Sequence, residues 1–138
     1  MNAAINKFLS WFLIGIGIIL RLAQYLSNKS FWRDEVYLAL NIIEKPISAF
    51  FHSLDYNQHA PPGFLIIEKL ITNFLGTGEL AFRLFPLICS LCSLFIFYKL
   101  CRKCLSETAS LTALGLFSVL VPLLYYSSEA KQYSSDLL

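Results

Sequence analysis

The chain has 138 residues, of which 57% are hydrophobic, 15% aromatic and 14% charged, with a mean hydropathy of +0.60. A soluble domain carries about 25% charged residues, so the composition is that of a membrane protein with room for one domain and no large aqueous one. A net charge of +2, without a basic stripe interleaved with aromatics, excludes a nucleic-acid partner.

The first apolar run, 8–26, is interrupted only by Arg21. At roughly 1.5 Å per residue it covers about 28 Å, the thickness of a bilayer core. Arg21 lies near its far end, where it can snorkel or face a protein interior. A signal peptide is the competing reading, because the run starts close to Met1 behind Lys7. No clean small-x-small cleavage site follows it, which favours a retained anchor helix.

A long polar stretch, 27–81, comes next and contains short amphipathic pieces. It opens with Trp32-Arg33-Asp34-Glu35. Two adjacent carboxylates at the mouth of a membrane helix are candidates for chemistry, and equally for solvated loop charges. The pattern predicts a helix over 36–44 starting just after the acids, which would suit the helix dipole, and Pro46 ends it. A second short helix is expected over 47–54, with His52 at an interface. The polar 55–63 stretch, which holds Gln58, His59, Pro61 and Pro62, should be irregular or extended. The segment 64–75 is apolar but only 12 residues long, and it carries Glu68 and Lys69 at its middle. Each charge would cost about 2.5–3.5 kcal/mol at a membrane-helix centre, so a membrane-surface or re-entrant helix is expected.

Two further spans are expected at 82–100 and 108–128, the latter kinked by Pro122. A basic turn with Lys99, Arg102 and Lys103 joins them. Short basic loops stay in the cytoplasm. The N-terminus and this turn are therefore expected inside and the first loop outside, in a multi-pass protein of the plasma (inner) membrane. The last span then delivers Glu129, Lys131, Gln132 and Tyr133 to the face that holds Arg33, Asp34, Glu35 and His59. Cys89, Cys92, Cys101 and Cys104 spell CxxC twice, but along one helix Cys92 and Cys101 would be about 13 Å apart, too far for one tetrahedral metal site.

The fold expected is an all-α, polytopic transmembrane bundle of about three spans with membrane-surface helices in its first loop. The ordered set Trp32-Arg33-Asp34-Glu35, His59-Ala60-Pro61-Pro62-Gly63, Arg83-Leu84-Phe85-Pro86 and the stretch from Tyr126 to Ser134 resembles the N-terminal part of GT-C glycosyltransferases that use polyprenyl-phosphate sugars. The similarity is greatest to the bacterial branch related to protein O-mannosyltransferases and aminoarabinose transferases. Family members have more spanning helices, so the chain resembles one portion of a larger fold. The resemblance implies a polyprenyl-phosphate-linked sugar donor, a glycan, lipid or protein acceptor, and Asp34 as the catalytic residue. Glu35 is expected beside it, orienting the acceptor or holding a divalent cation, the one cofactor such chemistry admits. Arg33, His59, Arg83, Glu129, Lys131, Gln132 and Tyr133 are the candidate substrate and phosphate contacts. The competing expectation is a non-catalytic membrane scaffold or transporter piece whose outer loop docks a partner. In that case Asp34, Glu129 and Lys131 should lie apart.

Overall fold

The computed structural model describes residues 3–138, and these are helical, with no strand among them. The first helix, α1 (Ala3–Leu26), buries Asn6, Ser10, Ile14, Gly17 and Arg21. These positions recur every three or four residues and so form one stripe. Phe8, Trp11, Phe12, Ile19, Leu22 and Leu26 point outward and are exposed. Polar inside and apolar outside inverts the pattern of a soluble helix and suits lipid surroundings.

Helix α1 packs against α4 (Glu79–Cys104) and α5 (Glu107–Val119), which also pack on each other. The amide of Asn6 donates to the Glu107 carboxylate, which holds the starts of α1 and α5 together. The rings of Trp11 and Tyr98 lie 6.2 Å apart near that end. At the other end the Tyr25 hydroxyl donates to the Leu80 carbonyl at 2.9 Å. Helices α1 and α4 are thus antiparallel, and α1 and α5 run the same way. Ile14, Leu94 and Leu114 form the bundle's buried centre.

Helices α1 and α4 are each long and apolar enough to cross a membrane. The third run is divided. Helix α5 ends at Val119, Leu120 takes an extended ψ of 114°, and α6 (Val121–Tyr126) begins with Pro122 in its first turn. Pro122 has no N–H to continue the ladder, so the bend expected there is a break two residues upstream.

The connection between α1 and α4 builds a second layer with its own core of Leu38, Ala39, Ile42, Phe50, Phe64, Leu65, Phe82 and Ala130. Helix α2 (Arg33–Glu44) starts three residues earlier than the hydrophobic periodicity suggests. The cause is Glu35, whose carboxylate accepts the Trp32 N–H at 2.9 Å and closes the first turn from within. Lys45, which precedes Pro46, is extended and ends the helix. The short helix expected over 47–54 is a 3-10 helix, Ile47–Phe51, and a second 3-10 turn follows at Asp55–Asn57. Asn41 pins this loop. Its Oδ1 accepts the Asp55 N–H at 2.8 Å, and its Nδ2 donates to the Asp55 carbonyl at 3.2 Å. Helix α3 (Pro62–Leu75) opens with Pro62 and stops at Gly76, whose φ of 89° only glycine adopts freely. A short α7 (Tyr133–Asp136) closes the layer.

Candidate active site

The first turn of α2 places two adjacent acids in opposite environments. Asp34 is exposed, and no side-chain hydrogen bond or ion pair among the described residues engages its carboxylate. Glu35 is 2% exposed and is fully committed. Besides the Trp32 N–H, it takes the Arg83 guanidinium at 3.2 Å and the Ala130 N–H at 2.7 Å. Arg83 is 4% exposed, donates a second bond to the Lys29 carbonyl, and lies 5.2 Å from the centre of the Phe31 ring. Glu35 therefore ties together the start of α2, the first turns of α4 and the stretch after α6.

That tie brings the third polar cluster to the first. Arg33, Asp34, Glu35, Glu129, Lys131 and Tyr133 line one open cleft of about 460 Å³, together with Trp32 and Tyr125. Glu129 is half-buried, and burial raises its pKa. The Tyr125 hydroxyl, hydrogen-bonded to it, works against that rise, and Glu35 adds to it. Burial lowers the pKa of Lys131, while Asp34, Glu35 and Glu129 oppose the loss of its charge. Burial likewise raises Tyr133, which keeps its phenol protonated. The cleft wall can therefore present a free carboxylate, two cations and neutral hydroxyl donors to one ligand.

His59 and Gln132 line a neighbouring hollow of about 320 Å³, together with His52, Gln58 and Pro61. The two spaces share a wall, in which Lys131 Nζ donates to Gln58 Oε1 at 2.6 Å and Gln132 Nε2 to the His59 carbonyl at 3.3 Å. Arg83 sits behind Glu35 and lines a third, narrow space with Ser27, Lys29 and Ser128. Gln58, Trp32 and Tyr125 complete these walls; the sequence pattern puts them on this face but gives them no role in the site. A glutamine in a polar loop and aromatics near a membrane surface carry no signal of their own. Among the described residues, no group of three or more His, Cys, Asp or Glu side chains is arranged to hold a metal ion. Glu35, the carboxylate expected to hold a divalent cation, already accepts from three donors of the protein itself.

The family profile described as dolichyl-phosphate-mannose-protein mannosyltransferase matches residues 59–134. That is more than half of the 138 residues, and the chain belongs to this family of membrane glycosyltransferases. The matched stretch holds His59, Arg83, Glu129, Lys131, Gln132 and Tyr133, whereas Asp34 and Glu35 precede it. No curated protein and no solved structure matches the chain. With α1 and α4 long and apolar enough to span, the protein is a membrane protein.

Proposed function

We propose that the protein transfers a sugar from a polyprenyl-phosphate donor to a hydroxyl acceptor (glycan, lipid or protein), with Asp34 as general base, in the manner of GT-C enzymes. The observation that carries this reading is the split between the two acids. Asp34 is free at the wall of a cleft that also holds Arg33 and Lys131, while Glu35 is locked behind it. A docking scaffold would leave Asp34, Glu129 and Lys131 independent, whereas here they line one space.

In the reaction the acceptor oxygen forms a bond to the anomeric carbon. The bond from that carbon to the phosphate oxygen breaks, and the polyprenyl phosphate leaves with the electron pair. Asp34 takes the acceptor proton, a role worth about 10²–10⁴-fold. Lys131 and Arg33 face the phosphate, whose charge grows as it departs. Glu129 and Tyr133 orient the acceptor hydroxyl, and His59 and Gln132 hold more distant parts of it across the shared wall. Glu35 and Arg83 position the site rather than touch the reacting atoms.

A lipid-linked donor suits a cleft at the end of a membrane bundle. Lys7, Arg102 and Lys103 belong to the opposite end, which the Asn6–Glu107 contact marks. This is the basis for proposing a cytoplasmic N-terminus and an outward-facing first loop in the plasma (inner) membrane.

The test is Asp34→Asn in the full chain, reconstituted in lipid nanodiscs with a radiolabelled polyprenyl-phosphate hexose. Transfer is expected to fall about 10²–10⁴-fold, with the unfolding midpoint unchanged because Asp34 holds nothing in place. Wild-type turnover by correctly inserted Asp34→Asn protein would remove the base assignment.

A further inference from the structure

In an α-helix the carbonyl of residue i receives the N–H of residue i+4. Pro122 has no N–H, so the Ser118 carbonyl loses its partner. The extended Leu120 carries the chain out of helical register at the same point. Unpaired carbonyls inside a membrane bundle are costly and have to be met by another donor.

The donor is Arg21, 0% exposed at the heart of the bundle. Its Nη1 donates to the Ser118 carbonyl at 3.3 Å and to the Gly17 carbonyl at 3.0 Å. Its Nη2 donates to the Phe117 carbonyl at 3.4 Å, and its Nε to Ser90 Oγ at 2.9 Å. No carboxylate pairs with it among the described residues. The seat is made to measure, since a Cβ on Gly17 would come within 3.2 Å of Arg21 Nη1 and 3.0 Å of Leu94 Cδ2. A buried guanidinium surrounded only by neutral acceptors is expensive in a membrane. The geometry shows what is gained, because one side chain on α1 fastens α4 and the broken end of α5 together.

The chain after the break returns to α2. Ala130 donates to Glu35, and Glu129, Lys131 and Tyr133 enter the cleft beside Asp34. We infer that Arg21 is a positioning residue of the site: it fixes the break at Leu120, and so the path that carries Glu129, Lys131 and Tyr133 to Asp34. What the site does rests on the function proposed above. Where the segment lies does not.

The experiment therefore reads position and activity separately. Spin labels go on Thr77→Cys and Leu137→Cys, both exposed positions, in a full chain whose four native cysteines are replaced by alanine, in nanodiscs. The parent should give one narrow distance distribution. Arg21→Met should broaden or shift it, and should lower kcat/KM by roughly tenfold to a hundredfold, the scale of a displacement of about 1 Å at a reacting centre. Arg21→Lys, which keeps a cationic donor, should recover most of both. In a Pro122→Ala background, where the Ser118 carbonyl regains an N–H, Arg21→Met should lose most of its effect on the distance. If Arg21→Met does not insert, Arg21→Gln carries the same two readouts. An unchanged narrow distribution in the inserted Met or Gln variant overturns the inference, as does an equal effect of Arg21→Met with and without Pro122. A parent that shows no transfer at all counts against the proposed activity and leaves the distance measurement to decide the positioning role.

Discussion

Arg21 and Arg83 are both buried guanidiniums, one in the middle of the helix bundle and one at its end, and they are satisfied by opposite means. Arg21 meets a hydroxyl and backbone carbonyls, two of them beside the break in α5. Arg83 meets the Glu35 carboxylate, which a helix start has already ordered. The bundle therefore keeps its charge without a counter-ion, while the layer above it forms an ion pair that joins three separate stretches of chain. The difference matters when a partner is removed. Deleting Arg21 leaves neutral carbonyls unpaired, whereas deleting Glu35 leaves the buried Arg83 cation without its counter-ion.

The largest expected effect follows from this contrast. Glu35→Ala should destabilise the protein by about 3–5 kcal/mol, the usual cost of stranding one member of a buried pair. Arg21→Met should cost about 1–3 kcal/mol, the range for unsatisfied neutral groups. The double variant Glu35→Ala/Arg83→Met should recover part of the Glu35→Ala loss, because no charge is then stranded. Unfolding in matched detergent micelles measures all three. A Glu35→Ala protein as stable as the parent would show that the pair contributes nothing to the fold and would weaken the case for Glu35 as the tie between α2 and the 127–136 stretch.

Glu68 sharpens the comparison from a third side, as a buried carboxyl with no partner. It is 0% exposed on α3, neither oxygen has a hydrogen-bond partner among the described residues, and burial pushes its pKa up to about 9. The native chain therefore holds this proton at neutral pH, while the unfolded chain releases it near the usual carboxylate range. More protons are bound in the native state, so Glu68 contributes its full stability below about pH 4.5. That contribution declines as pH rises toward about 9, by at most about 1.4 kcal/mol per pH unit. Glu68→Gln should flatten this decline and raise stability at pH 8 relative to the parent. Parallel pH profiles for the two proteins would show that Glu68 is ionised in the native state.

Much of the bundle can be read from the sequence because a bilayer demands long apolar runs, and α1 and α4 supply them. The third run is as apolar as the others, and only Pro122 hints that it is divided, since hydropathy does not register one residue with an extended ψ. The layer above is less legible. The 47–57 stretch is too short for helical periodicity to show, and its two 3-10 turns are set by contacts from Asn41 and by the stacking of Tyr37 on Tyr56 at 4.7 Å. Counting crossings puts Arg33, Asp34, Glu35, His59, Glu129, Lys131, Gln132 and Tyr133 on one face; the cleft holds these except His59 and Gln132, which line the neighbouring hollow. What the residue pattern by itself misses is the difference in surroundings between these neighbours, although the family resemblance already sets Asp34 apart from Glu35. Asp34 and Glu35 are equivalent as letters. Only the position of Glu35 as the third residue of α2, facing Arg83, turns one into a strut and leaves the other free. Arg83 and Glu35 both look like reactive groups for the same reason, since a charge in an apolar chain signals importance without saying whether it acts or holds.

The smallest expected effect concerns the residue next to Glu68. Lys69 reaches from α3 to the end of α2, where its Nζ donates to the Ile42 carbonyl at 2.7 Å and the Ile43 carbonyl at 2.8 Å. These are last-turn carbonyls, where the helix dipole gathers negative charge, so a cation there is favoured by about 0.3–1 kcal/mol. Lys69→Met should cost about 1–2 kcal/mol once the two lost hydrogen bonds are included. The loss should appear as faster hydrogen exchange at the end of α2, with the first turn and its Glu35 contacts unaffected. Adjacent residues on α3 then respond in opposite senses at neutral pH, with Glu68→Gln stabilising and Lys69→Met destabilising. One faces the interior without a partner and the other faces a helix end that wants its charge. If both substitutions destabilise, the burial of Glu68 is relieved by a partner that water or lipid supplies, and its carboxyl belongs with Glu35 as a satisfied group.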